Sequence, residues 1–136
     1  MLKLIRPKVN MAVILLVDEN PLRAAMRQSL LEGATPDVVR VSSPAEALCM
    51  VESEKFTQSL RLVVTGSQVP GVNGAEFVTE LRARMPQVDV LVLTGNEARP
   101  SGQEDSPGVY YVSAQSPEEM RATVNGLLHG SSRQTA

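Results

Sequence analysis

Short apolar runs alternate along the chain with segments of helical period, and this alternation constrains the fold more than any other feature of the sequence. Nearly continuous runs of Val, Ile and Leu are typical of parallel strands that are covered on both faces. The predicted strands are Ala12 to Val17, Val38 to Val41, Leu60 to Thr65, Val88 to Leu93 and Val109 to Val112.

Prolines and capping residues mark the helices between these strands. The first helix is predicted to begin after Asn20 as N-cap, with Pro21 at its first position, and to stop at Gly33. The last begins with Ser116-Pro-Glu-Glu119, which has the form of a capping box. The second starts near Ser43-Pro44 and the third runs from about Gly74 to Met85. The residues expected to pack inward are Leu22, Ala25, Met26, Ser29 and Leu30 in the first helix, Ala45, Leu48 and Cys49 in the second, Phe77, Val78, Leu81 and Met85 in the third, and Met120, Val124, Leu127 and Leu128 in the last.

Alternating strands and helices require crossover connections, which are nearly always right-handed. The sequence therefore predicts a doubly wound, three-layer α/β/α fold around a five-stranded parallel sheet. A flavodoxin-like strand order 2-1-3-4-5 is expected, with any site at the carboxyl ends of strands 1 and 3. Between Thr94 and Val109, prolines and glycines interrupt the helical period, so the fourth helix should be short or replaced by a loop.

The length and charge of the chain narrow the class of protein. A chain of 136 residues with 43% hydrophobic residues fits one domain, predicted over residues 12–129. Residues 1–11 form an extension that is either a basic surface tail or an amphipathic docking segment, and residues 130–136 form a polar tail. A net charge of -2 gives no reason to bind nucleic acid or anionic lipid, and no apolar run is long enough to span a membrane. The single cysteine fits a reducing cytoplasm.

Polar residues follow the first and fourth strands, whereas a glycine ends the third. Asp18-Glu19 follows the first strand, Gly66 ends the third within Leu62-Val-Val-Thr-Gly66, and Thr94 follows the fourth. Mutual repulsion should raise the pKa of one of the adjacent acids if the site is partly buried; the alternative is that both are solvated. Thr65 and Ser67 flank Gly66, but their side chains should point away from the face that Gly66 serves.

These residues resemble the receiver domain of two-component response regulators, a CheY-like superfamily found in bacterial signalling. The resemblance spans about residues 12–128 and implies that Asp18 and Glu19 correspond to the acidic pair that helps to bind magnesium. The turn Pro70-Gly71 corresponds to the proline-glycine turn after the phosphorylation site, and counting back four residues gives Gly66 where the family has its phosphate-accepting aspartate.

The resemblance also assigns the remaining positions of the pocket. Thr94 matches the hydroxyl residue that contacts the phosphoryl group, and Tyr111 matches the aromatic switch residue. Ala114 stands where the family has a lysine. Gly66 has no oxygen nucleophile and Ala114 no ammonium group, so phosphoryl transfer should be lost and magnesium binding at Asp18 and Glu19 weak or absent.

The leading interpretation is a single-domain pseudo-receiver that works without phosphorylation, without a cofactor and without enzyme activity. Its expected partner is a protein, either a histidine kinase or an output protein, and homodimerisation stays open. One alternative is a genuine phosphorelay receiver that uses an unidentified acceptor. A small doubly wound hydrolase is a further alternative, although Asn20 stands where a dehalogenase-like phosphatase needs a second aspartate and no glycine-rich phosphate loop follows the first strand.

Overall fold

The computed structural model describes residues 13–66, 74–95 and 108–130, and within them five parallel strands form one sheet. The strand order is β2-β1-β3-β4-β5, as the alternation of strands and helices predicted. The strands are β1 (Ile14–Val17), β2 (Val38–Val41), β3 (Leu62–Gly66), β4 (Asp89–Thr94) and β5 (Val109–Ser113). Every pairing between neighbours is parallel, so the carboxyl ends of all five strands lie at one edge.

Helices cover both faces of the sheet. They are α1 (Pro21–Leu31), α2 (Pro44–Met50), α3 (Glu54–Ser59), α4 (Gly74–Arg84) and α5 (Pro117–Asn125), and a π-helical turn (Gly126–Gly130) extends α5. The N-caps follow the sequence signals, because the side chains of Asn20, Ser43 and Ser116 each accept a hydrogen bond from the third backbone N–H that follows.

The alternating side chains of the strands build one core on each face. On one face Leu15, Val63 and Val90 pack with side chains of α2, α3 and α4, including Phe77 and Leu81. On the other face the core packs against α1 and α5. Its main members are Ile14, Leu16, Ala24, Leu31, Leu62, Val64, Leu91, Met120, Val124 and Leu128. Burial on both faces is the physical reason for the unbroken apolar runs.

The predicted inward face of α1 is wrong for Leu22, Ala25, Met26 and Ser29, which are exposed, and right for Leu30, which is partly buried against the core. Leu22 and Met26 are 79% and 68% exposed, whereas Ala24 and Leu31 are buried. Two faces of this helix carry apolar residues at helical spacing, and the face that carries Leu22 and Met26 points to solvent. Arg27 therefore lies on the inner side of the helix, with its side chain 12% exposed.

Two expectations for the segment after β2 also fail. The chain forms two short helices there, since α2 ends at Met50 and α3 begins after the N-cap Ser53. Cys49 was expected in the core but is exposed, while Pro44 and Ala47 provide the buried face of α2. In and directly after α4 and α5, the expected inward residues Phe77, Leu81, Met85, Met120, Val124 and Leu128 are buried.

Several predictions lie outside the described residues. They concern the extension over residues 1–11, the Pro70-Gly71 turn, most of the segment between Thr94 and Val109, and the tail after Gly130. The predicted domain boundaries stay predictions. Within the three described stretches, no helix has both the length and the apolar character that a membrane crossing requires.

Candidate functional site

The register of the sheet brings the predicted site positions together at the carboxyl edge. Val17 pairs with Thr65, so the next residues along the two strands, Asp18 and Gly66, are neighbours at the ends of β1 and β3. Gly66 in turn pairs with Leu93, and Thr94 is the last residue of β4. This is the edge at which parallel α/β sheets place their sites.

Asp18 is a buried carboxylate held by donors from the start of α1. The residue is 3% exposed. Its Oδ1 accepts hydrogen bonds from the Asn20 backbone N–H at 3.0 Å and from Arg23 Nη2 at 2.8 Å. Arg23 Nε lies 3.1 Å from both carboxylate oxygens, and Arg27 Nη1 donates to Oδ2 at 3.1 Å. Two guanidinium groups thus neutralise one buried acid.

Glu19 and Arg40 lie beside this cluster. Glu19 is exposed, and its Oε2 contacts Arg23 Nη2 at 3.3 Å. Arg40, from β2, donates through Nε and Nη2 to the backbone carbonyl oxygen of Asp18 at 3.1 and 2.9 Å. Around the acidic pair the structure therefore places three arginine side chains, from α1 and β2.

The pKa of Asp18 shows which effect dominates at this edge. Burial raises that pKa, but the Arg23 hydrogen bond, the Asn20 N–H and the charges of Arg23 and Arg27 together lower it below its ordinary value. The expected upward shift from repulsion between Asp18 and Glu19 is therefore wrong for Asp18, and so is the alternative that both acids are solvated. Burial lowers the pKa of Arg27, against the attraction of Asp18.

The two threonines at the edge have their hydroxyl groups engaged with the backbone. Thr94 Oγ1 donates to the Val112 carbonyl at 3.3 Å and is buried. Thr65 is 1% exposed, and its Oγ1 donates to the Gly66 carbonyl at 3.4 Å. Ala114 lies next to Thr94, because its N–H donates to the Thr94 carbonyl at 2.7 Å, and its methyl group packs against the core beside α1 and α5.

The two tyrosines of β5 point to opposite faces, as the strand period predicts. Tyr111 is half-buried against the core beneath α2, α3 and α4, whereas Tyr110 is 40% exposed. Tyr111 pairs with Val92 in the sheet register, two residues before Thr94. The position predicted for the switch aromatic is thus occupied by an inward-facing side chain.

Comparison with known proteins decides the family. The model of the response regulator receiver domain matches residues 14–105. The chain belongs to the receiver domain family. Among curated relatives it is 30% identical over 121 residues to the alkaline phosphatase synthesis transcriptional regulatory protein PhoP of Bacillus subtilis, covering 87% of this chain and 49% of that protein. It is 26% identical over 119 residues to the transcriptional regulatory protein AruR of Pseudomonas aeruginosa, covering 85% and 48%. This receiver spans about half the length of these relatives.

Solved structures show the same fold. The chemotaxis response regulator CheY4 of Vibrio cholerae superposes with a TM-score of 0.69 at 21% identity, covering 86% of this chain and 98% of that one. The receiver domain of a Luxo repressor protein from Vibrio parahaemolyticus, itself described as putative, gives a TM-score of 0.75 at 12% identity, covering 92% and 95%. At these identities the likeness concerns the fold alone.

The residues of this receiver do not fit the magnesium ion that its family resemblance implies. Magnesium requires an octahedral shell of oxygen atoms and usually one or two free carboxylates. Both oxygens of Asp18 are bonded to arginines, and Gly66 provides no carboxylate. Among the described residues no group of three or more His, Cys, Asp or Glu side chains is placed to hold a metal.

Sequence reasoning missed Arg23, Arg27 and Arg40. A signal was present for two of them, since Arg23 and Arg27 are four residues apart and so share one face of the helix that starts directly beside Asp18. The prediction of a different inward face for α1 concealed it. Arg40 carries no comparable signal, because only the pairing of β2 with β1 brings it to Asp18.

Proposed function

We propose that this receiver is a bacterial signalling module that acts by protein-protein interaction without being phosphorylated. The observation that carries the proposal is the position of Gly66. It ends β3 beside Asp18, where the resemblance places the phosphate-accepting aspartate, and it has no side chain that could attack phosphorus.

The neighbouring side chains support the same proposal. Ala114 offers no cation for an aspartyl phosphate, and the hydroxyl groups of Thr65 and Thr94 already donate to backbone carbonyls. Arg23 and Arg27 are committed to Asp18. Within the described part of this edge, these side chains therefore offer neither a free nucleophile nor a set of metal ligands, and we propose that the module is not an enzyme.

Phosphoryl uptake tests this proposal directly. The chain is incubated with acetyl phosphate and Mg²⁺ and examined by intact-mass measurement, next to a receiver that carries the usual aspartate. The expected result is no mass increase in this chain and a phosphoryl adduct in the control. An adduct on this chain would support the alternative of a phosphorelay receiver with an unidentified acceptor, and peptide mapping would locate that acceptor.

A histidine kinase or an output protein of a two-component pathway is the proposed partner, and the exposed apolar side chains of α1 support such contact. Leu22 and Met26 lie one turn apart at 79% and 68% exposure, and the helix presents Ala25 and Ser29 beside them. Large exposed side chains that lie together are a common feature of protein-binding surfaces.

Affinity for such a partner can be compared between variants of two surfaces, one on α1 and one on β5. Leu22→Ser/Met26→Ser removes the apolar surface of α1, and Tyr110→Ser removes the exposed tyrosine of β5 as a control at the far edge of the sheet. Affinity for a purified kinase or output protein of the same organism should fall in the α1 variant and stay unchanged in the Tyr110 variant. Lower affinity in the Tyr110 variant, with unchanged affinity in the α1 variant, would show that the binding surface lies at β5.

A further inference from the structure

The chain's own donors fill the acceptor positions of Asp18. Its carboxylate takes the Asn20 N–H, Nε and Nη2 of Arg23, and Nη1 of Arg27, all at 2.8 to 3.1 Å. An ionised carboxylate offers about four lone-pair positions. A metal ion approaching Asp18 would therefore have to displace a guanidinium group.

The helix that carries the two arginines is held by its packing against the sheet. Ala24, between them in sequence, is 1% exposed, and Leu31 one turn after Arg27 is 1% exposed. Both arginines thus belong to a helix that is fixed against the sheet, and the Arg27 side chain is 12% exposed. A flexible surface pair would lose contact often, but a mostly buried arginine stays close to its acid.

The charge around Asp18 also opposes a cation. Among the residues that the structure describes, three arginines contact the acidic pair: Arg23 and Arg27 pair with its carboxylates and Arg40 donates to the Asp18 carbonyl, so positive charge is in excess over negative charge in this cluster. Glu19, the second acid of the pair, is itself in contact with Arg23 at 3.3 Å. Like charges repel, and this repulsion disfavours a divalent cation even before any arginine moves.

We infer that Arg23 and Arg27 form a built-in counter-cation that excludes divalent metal ions from the strand edge, and that Asp18 and Glu19 are a latent metal site beneath them. Removal of both guanidinium groups leaves two adjacent carboxylates, the number that magnesium commonly uses in proteins. The inference is independent of the proposed function, since it concerns metal binding whether or not the chain accepts a phosphoryl group.

Paramagnetic Mn²⁺ tests this inference through the amide signals of Glu19 and Asn20 in NMR spectra. Four forms of the full chain are compared: the wild type, Arg23→Gln/Arg27→Gln, the same double variant with Asp18→Asn added, and Lys55→Gln/Arg121→Gln. The last removes two positive charges from exposed positions on α3 and α5 and therefore controls for net charge.

The Arg23→Gln/Arg27→Gln variant should show selective broadening of these signals at a Mn²⁺ concentration at least about tenfold lower than the wild type, equivalent to about 1.4 kcal/mol. Addition of Asp18→Asn should abolish the gain, and the charge control should behave as the wild type. Mg²⁺ should also raise the Tm of the double variant relative to NaCl of equal ionic strength, but not that of the wild type.

Two results would overturn the inference. One is broadening at Glu19 and Asn20 in the wild type at the concentration that affects the double variant. The other is a folded double variant that binds no more tightly than the wild type. If the double variant does not fold, Arg23→Gln and Arg27→Gln are measured singly with the same criterion. Phosphoryl uptake is measured separately, so failure of one proposal leaves the other standing.

Discussion

Asp18→Asn removes the charge that holds Arg23 and Arg27 while changing the volume of the side chain very little. The exposures of the two partners decide the size of the effect. Arg23 is 43% exposed, so its contact is screened by water and should contribute no more than about 1 kcal/mol. Arg27 is 12% exposed and would be left without its anion in a largely dry environment.

Removing one partner of a fully buried ion pair costs about 3 to 5 kcal/mol. Asparagine keeps one oxygen that can accept from Asn20 N–H or Arg27, so we expect about 2 to 3 kcal/mol of lost stability at pH 7. For a chain of this size each kcal/mol lowers the Tm by about 3 to 5 °C, which predicts a fall of about 6 to 15 °C.

The effect must also depend on pH. The pKa of Asp18 is lowered in the folded chain, so its contribution to stability is present above the unfolded pKa of about 3.9 and is lost as the pH falls through the folded pKa. Urea unfolding of both forms at pH 7 and at lower pH measures this. The difference in unfolding free energy between wild type and variant should narrow below about pH 4.

Glu19→Gln is the matched control for this measurement. It removes a carboxylate from the next residue, which is exposed and contacts Arg23 at 3.3 Å, and it should cost less than about 1 kcal/mol. An Asp18→Asn variant as stable as Glu19→Gln at pH 7 would refute the reasoning. A loss of stability that is the same at every pH would show that geometry, and not the ion pair, causes the effect.

Three further predictions concern the scaffold. Gly108→Ala should lower the free energy of unfolding by about 1 to 3 kcal/mol, because Gly108 has a φ of +86° and an added Cβ would lie 2.7 Å from Arg82 Nη2. An unchanged midpoint in urea unfolding would contradict this. Asp89→Asn should destabilise the chain less at pH 7 than at low pH, or even stabilise it. Burial raises the pKa of Asp89, so its charged form costs stability as the pH rises through the unfolded and folded pKa values. A variant whose Tm depends on pH as the wild type's does would disprove this. Leu81→Ala should cost about 2 to 5 kcal/mol of stability, because it opens a cavity at a residue that is 0% exposed. Leu22→Ala should cost less than about 0.5 kcal/mol, because Leu22 is 79% exposed. Equal Tm values for the two variants would show that Leu81 is not buried or that Leu22 is not exposed.

The strands and their order could be predicted because the evidence for them is local. An unbroken apolar run such as Leu62 to Val64 reports burial on both faces, and right-handed crossovers then leave few topologies. The first residues of the helices could be predicted equally well, since Asn20-Pro21 and Ser116-Pro117 cap the N-termini of their helices as such pairs usually do. The split between α2 and α3 was not, because Ser53 as N-cap was concealed in a polar stretch that resembles a loop.

The face of α1 shows why the site was predicted less well than the fold. Both stripes of this helix have helical period, and hydrophobicity favours the one with Leu22 and Met26. The chain instead buries Ala24 and Leu31, and directs Arg27 inward, because Asp18 at the end of β1 needs a positive partner there. Periodicity counts apolar residues, but it does not register the free energy of pairing a buried carboxylate.

A buried carboxylate requires compensation, and two kinds of group can provide it at the edge of this sheet. A divalent cation needs several oxygen ligands, of which protein carboxylates usually supply one or two and water or phosphate the rest. A guanidinium group needs only the one carboxylate and supplies several N–H donors in a planar arrangement. With Gly66 at the end of β3, the acidic pair of β1 lacks a third carboxylate from that position, and Arg23 and Arg27 satisfy Asp18 from the neighbouring helix. The glycine and the arginines therefore act in the same direction: no carboxylate at the end of β3 adds negative charge beside Asp18, and two guanidinium groups of α1 neutralise the charge that is there.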